Sequence, residues 1–260
     1  SPFFGPEKGI KAAKELEIDY QVIDIGPELM EVIRNPKHGY GGAANPCIDC
    51  HSLMLKKAKQ IMEEKRYDFV ATGEVLGQRP FSQNQKAMET IADQSGLNNK
   101  LLRPLSAKHL TPTKPEKQGF VNRDQLLAIR GRGRSKQMEL AEKLDLDYPQ
   151  PAGGCMLTEK EFGNKLFDLL KKKPEAKPLD AELIKIGRHF WEKNQQIILG
   201  RDQHENNQLV YLAEPNDLII QPANFIGPSA LIRNYNDNEK ILDQAKELIK
   251  KHTSKEKREP

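Results

Sequence analysis

Cysteine and tryptophan are scarce in this chain: three Cys and one Trp in 260 residues. So few cysteines exclude a disulfide framework of the small secreted kind, and a reducing, cytoplasmic setting is the expectation. Long apolar runs are missing as well. The longest span a handful of residues, against the roughly twenty that a membrane-crossing helix needs, so no membrane partner is expected. Neither sign of charge dominates: Lys+Arg number 41 and Asp+Glu 37, a net charge of +4. That balance permits a nucleic-acid partner without demanding one. Hydrophobic residues make up 37% and charged residues 30%, which is polar but still enough for a core of ordinary size.

What is present is strand–helix alternation. "KGIKAAKELEI" has helical spacing, "DYQVIDI" alternates like a strand, and "PELMEVIRN" opens with a first-turn Pro as short helices do. After the Gly-rich loop "PKHGYGGAANP", a helix is expected from Cys50 to about Lys65. "YDFVATG" reads as a buried strand, "FSQNQKAMETIADQSG" as a helix stopped by Gly, and "KLLRPL" as another strand. This pitch predicts an α/β fold with a parallel sheet and flanking helices. Helices follow near 123–130, 134–145 and 158–173, broken by the turn "YPQPAGGC". "KKKPEAKP", 171–178, reads as linker-like, which places a boundary near 174–179. Beyond it, "ELIKIGRHFW", "QQIILGR", "LVYLA", "DLIIQP" and "SALIR" are short β-type runs, and "NEKILDQAKELIKKH" is an amphipathic helix. The expected organisation is a first domain over 1–173, a small α+β domain over 180–252, and a charged tail over 253–260.

All three cysteines sit beside Pro or Gly turns. Cys47 and Cys50 are spaced C-x-x-C in "NPCIDCHSLM", and Cys155 follows two glycines in "PAGGC". Two thiols at that spacing can face one centre, and a helix start at Cys50 favours its thiolate through the dipole. Four readings stay open: small buried hydrophobes; a zinc site with His51 as fourth ligand; a redox or persulfide pair; or an iron–sulfur cluster held by three thiolates. "ATGEVLGQRPFSQ" follows a strand end, where ligands of parallel sheets collect. Thr72, Gly73, Gln78 and Arg79 there suit a nucleotide, with Ser82 and Gln83 beside them; an ordinary capped turn is the plainer reading. "RGRGRSK" carries Arg130, Arg132, Arg134 and Lys136, either a phosphate-binding segment or a solvated loop. Asp49 and Glu74 read equally as proton-transfer or metal-binding groups and as caps or surface carboxylates.

Taken in order, "NPCIDCHSLMLKKAK", "DFVATGEVLGQRPFSQN", "LLRPLSAKHLTPTKPEKQGFVNRDQL" and "GRSKQMELAEKLDLDYPQPAGGCMLT" resemble the PP-loop ATP pyrophosphatases related to tRNA 2-thiouridylases and 4-thiouridine synthases, over about residues 1–170. The resemblance implies an adenine nucleotide alpha hydrolase-like fold and tRNA uridine thiolation. ATP with Mg²⁺ would adenylate a base carbonyl, and sulfur would displace AMP. It implies Thr72, Gly73, Gln78 and Arg79 near the nucleotide. Cys47, Cys50 and Cys155 would handle sulfur as ligands of a [4Fe–4S] cluster or through a persulfide, with zinc as the alternative metal. The partners implied are tRNA and a sulfur donor, and a homodimer is allowed for.

"IGRHFWEKNQQIILGRDQHENNQLVYLAEPNDLIIQPANFIGPSALIR", over about 180–235, is similar to the RNA-binding domain of ribosome-associated quality-control and fibronectin-binding-like proteins. Arg188, Arg201 and Arg233, with His189 and Trp191, fit an RNA surface there, although a lone Trp is more often core. One departure matters. The Ser-Gly-Gly-x-Asp-Ser phosphate loop of the PP-loop family is absent, and the chain opens "SPFFGPEKG" without Met, like the end of a strand entering a helix. The expectation is an N-terminally truncated enzyme lacking its first strand. The alternative is a non-catalytic tRNA- or ribosome-binding protein on a degenerate scaffold.

Overall fold

The computed structural model describes residues 1–147 and 154–253. Residues 148–153 of the expected turn over 148–155, and all but the first residue of the expected tail over 253–260, lie outside the described residues. The chain forms two compact units that divide between Lys160 and Glu161. This differs from the expected linker at 174–179: Ala176 is fully buried, and Pro178 already opens a helix.

The first unit runs α1 (Glu7–Glu15), α2 (Gly26–Arg34), α3 (Cys47–Glu64), β1 (Val70–Ala71), α4 (Gln85–Ser95), β2 (Leu101–Leu102), α5 (Lys114–Lys117) and α6 (Ser135–Lys143). β1 and β2 pair in parallel, Val70 with Leu101 and Ala71 with Leu102. Leu55 and Met62 of α3 pack on Ile91 and Ala92 of α4 and on Leu101, the core of this unit. Each of the Leu, Ile and Met side chains contributes about 1.5–3 kcal/mol when fully buried. α4 begins where Asn84 accepts a hydrogen bond from the Ala87 amide. It ends at Gly96, whose φ of 70° suits glycine. Ser82, the expected cap, is instead buried with no partner for its hydroxyl.

Two expectations fail in this unit. The stretch 19–25 is not a strand, because among the described residues nothing pairs with it; Val22 and Ile23 stay exposed. The helix expected near 123–130 shrinks to a 3₁₀ turn, Arg123–Gln125, opened by the Asn122 side chain. The parallel sheet is therefore only two strands wide among the described residues.

The second unit holds α7 (Lys160–Lys172, all but its first residue), α8 (Pro178–Leu183), β3 (Arg188–Glu192), β4 (Gln195–Leu199), α9 (Gln203–Leu212), β5 (Leu218–Ile220), β6 (Ala230–Ile232) and α10 (Glu239–His252). The strands form an antiparallel sheet in the order β3-β4-β6-β5. Alternation sorts its two faces. Ile197, Leu199, Ala230 and Ile232 pack on Ile241, Ala245 and Ile249 of α10. Ile198 and Leu231 pack on Leu183 and Ile186, and on Leu209 of α9. Gly187 leads into β3 at φ 70°, where a Cβ would lie 2.4 Å from the Leu199 carbonyl oxygen. "LVYLA", expected as a β run, closes α9 instead. The Asp202 side chain accepts from the Glu205 amide and starts a helix that runs through it.

A buried charge cluster ties this unit together. Asp180 is fully buried and Arg233 is 4% exposed. Asp180 accepts from the Lys177 amide (2.8 Å), Lys173 Nζ (3.0 Å) and Arg233 Nη2 (3.1 Å). Arg233 also donates to Glu214 (3.0 Å) and pairs with Asp217. Burial would raise the Asp180 pKa, but the Lys177 amide, Lys173 and Arg233 outweigh it and hold it below its ordinary 3.8. A depressed carboxylate stabilises the fold above its unfolded pKa, and that stability is lost as pH falls through the folded value. Asp180→Ala should lower the unfolding free energy by about 3–5 kcal/mol, because Arg233 would be left underpaired. Urea unfolding from neutral pH down through pH 3.8 should show the parent losing this margin on acidification and the variant losing less.

Candidate functional site

α3 carries the C-x-x-C pair in its first turn: Cys47 opens the helix after Pro46, and Cys50 lies one turn on, on the same face. Cys155 follows Gly154, whose φ is 67°, and precedes a 3₁₀ turn over Met156–Thr158. The three thiols line one cavity of about 560 Å³ in the first unit, together with His51, Arg79 and Gln83. The fold therefore brings Cys155 to the pair across more than a hundred residues of sequence. Asn45 donates its side-chain amide to Cys47 Sγ at 3.2 Å.

The electrostatics of the cavity reverse one expectation. Cys50 is 8% exposed, and burial pushes its thiol up to about 12, with Cys155, Cys47 and Asp49 adding to the shift. Helix-start amides do not offset that cost, so Cys50 is a protonated thiol at neutral pH. Burial raises Cys155 too, while Arg79 pulls it the other way. Among the described residues, no group of three or more His, Cys, Asp or Glu is arranged to hold a metal ion. His51, considered as a fourth ligand, lines the same cavity and points Nδ1 at Glu74 Oε1 (2.8 Å), which leaves Nε2 as the ring nitrogen a metal would use. A cluster makes a different demand, since it spreads its thiolates over several irons. Three cysteines lining one cavity are the donor type it uses.

Glu74 and Asp49 are both occupied structurally. Burial opposes ionisation of Glu74, but His51 and Arg103 outweigh it and hold its pKa down to about 2. Arg103 bonds Glu74 Oε2 at 2.8 Å and the Met88 carbonyl at 3.0 Å, tying β2 to α4. Asp49 accepts from the His38 amide (3.0 Å) and meets His38 Nδ1 (2.8 Å), pinning the Gly-rich loop to α3. Of the residues expected at a nucleotide, only Arg79 lines the cysteine cavity. Thr72 donates to Glu74 (3.3 Å), Gly73 is exposed, and Gln78 is half-buried elsewhere. Gln83 lines the cavity with its buried Oε1 unpartnered, a feature that burial alone reveals.

Of the expected RNA contacts, Arg130, Arg132 and Lys136 are exposed, and Arg134 is half-buried at the start of α6. In the second unit, Arg188 and Arg201 are exposed, Arg201 being paired with Glu205. Arg233 is a correction: sealed among Asp180, Asp217 and Glu214, it presents nothing to an RNA. Trp191 is half-buried on the edge strand β3, with Lys172 Nζ 4.9 Å from its ring centre.

Residues 187–260 match the family model described as NFACT protein RNA binding domain. The chain thus carries an NFACT-type RNA-binding domain at this end, in line with the resemblance read over 180–235. No curated protein matches the chain, and no solved structure does. No described helix is long and apolar enough to cross a membrane.

Alkylation tests the thiol chemistry. In the parent chain, with peptide-level mass spectrometry to separate the three sites, Cys50 should react with iodoacetamide near pH 8 roughly a thousandfold more slowly than a free cysteine. The rate should keep climbing as pH approaches 12.

Proposed function

We propose that the protein binds RNA through its C-terminal unit. The observation that carries this reading is the NFACT-type match over residues 187–260. The exposed Arg188 and Arg201 of that unit and the net charge of +4 support it. Phosphate contacts release counterions, so affinity should fall with salt. Fluorescence anisotropy with labelled tRNA and with an unstructured RNA should show log Kd rising linearly with log salt. A preference for tRNA would assign the partner, and salt-independent or absent binding would remove the reading.

A second reading, ATP-dependent tRNA thiolation, is favoured by a separate observation: all three cysteines line one cavity, with Arg79 beside them. In that reading Cys47, Cys50 and Cys155 hold a [4Fe–4S] cluster or carry sulfur as a persulfide. The cluster or persulfide supplies the sulfur chemistry. Asn45 orients Cys47, and the His51–Glu74–Arg103 chain stiffens the wall behind the pair. ATP would activate a uridine carbonyl as an adenylate with release of pyrophosphate, and AMP would then be the leaving group. Anaerobic reconstitution with iron and sulfide should give iron and acid-labile sulfide bound to the parent chain and little to a Cys155→Ser variant. Equal loading of the two would sink the assignment.

A further inference from the structure

Two cavities of the second unit share a wall. One, of about 330 Å³, lies between α7 and the edge strand β3 and is lined by Lys165, Lys172, Arg188, His189, Trp191 and Gln196, among others. The other, of about 390 Å³, is lined by Arg188, Arg201, Asn206, Gly227 and His252, among others. Arg188 belongs to both, is exposed, and forms no ion pair among the described residues. Each volume sits at the low end of small-ligand pockets, roughly 300 Å³ and upward. That is the scale of a single nucleotide.

The chemistry of the first cavity is specific. In the β3–β4 ladder His189 faces Ile198 and Trp191 faces Gln196, so His189, Trp191 and Gln196 share one face of the sheet. Burial, with Lys165 and Arg201 nearby, pushes the His189 pKa down to about 4, and the ring is neutral at pH 7. Gln196 Nε2 lies 3.1 Å from His189 Nδ1. The amide donates, so Nδ1 accepts and Nε2 carries the proton. That Nε2 is buried and makes no hydrogen bond of good geometry, although the backbone of Ile184 and Ile186 acts on the ring and partly offsets the downward shift. An unsatisfied buried donor is costly and calls for an acceptor. Beside it, the Trp191 ring already attracts the Lys172 ammonium at 4.9 Å, while Asp168 holds that ammonium at 2.9 Å. A neutral donor, an aromatic surface and cations at the mouth suit a planar group with acceptor atoms, attached to a polyanion.

Resting on the RNA-binding reading above, we propose that the α7–β3 cavity is a single-nucleotide subsite. It takes one unpaired RNA base, stacked at Trp191 in place of Lys172 and accepting a hydrogen bond from His189 Nε2. Arg188 holds the adjoining phosphate, and the neighbouring cavity receives the next sugar-phosphate.

Trp191 is the chain's single tryptophan, so its emission reports this cavity alone. The full chain is titrated with a labelled oligouridylate at about physiological salt, reading anisotropy and Trp191 fluorescence together. Expected are saturable quenching with the same midpoint as the anisotropy, and binding without quenching for an abasic ribose-phosphate oligomer of equal length. His189→Leu should weaken binding about tenfold, the scale of one lost base contact, with an unchanged salt slope. Arg188→Ala should lower that slope by about one. Should His189→Leu melt early, Trp191→Phe, which keeps a ring, and the quenching of the parent chain decide. RNA binding with constant Trp191 emission, and parent-like affinity in His189→Leu and Trp191→Phe, overturns the subsite and leaves the RNA-binding reading standing. Equal quenching by the abasic oligomer also overturns it. Absence of any RNA binding overturns both.

Discussion

The C-terminal unit depends on a buried cation that cannot be left underpaired. Arg233 sits at the end of β6 with 4% exposure, surrounded by Asp180, Glu214 and Asp217. A guanidinium so far from water is tolerated only while its carboxylates stay in place. The three acids come from the start of α8, the segment after α9 and the residue before β5, so one charge fixes where four segments meet. β6 is a central strand, and β4, paired to it, carries β3 at the edge. The placement of Arg188, His189 and Trp191 therefore descends from an interaction that touches none of them.

Burial also sets the protonation states of both units, and it wins against local effects. At Cys50 the first-turn helix position favours thiolate, yet enclosure by the cavity wall and two other thiols holds the proton on. At His189 enclosure keeps the ring neutral among cations, which makes it a one-directional donor. At Glu74 the outcome reverses, because His51 and Arg103 are both within direct bonding distance. The rule is the same in each case: a buried group keeps its charge only where an opposite charge is bonded to it.

Elements with their own start and stop signals were legible in the sequence. α3, α4 with its Gly96 stop, α7 and α10 fall close to the expected ranges, and β1 and β2 pair in parallel as the alternation implies. Segments whose state depends on a neighbour were not. Residues 19–25 have strand-type alternation and no strand beside them among the described residues; "LVYLA" has strand-type composition and a helix start upstream. Rarity made the cysteines stand out, and they do share a cavity. Lys172 was hidden in a Lys run that reads as a linker, and Gln196 in an apolar strand, because only the fold sets them beside Trp191 and His189.

The sequence by itself determined residue types and their local periodicity: scarce thiols at turns, a basic stretch over 130–136, and a C-terminal pattern similar to an RNA-binding domain. Tertiary structure alone decided which charges survive burial and which groups meet. Arg188 and Arg233 look alike in sequence, yet one is exposed on an edge strand and the other is sealed among carboxylates. The physical reason is that desolvation depends on everything packed around a group, and those neighbours come from distant parts of the chain.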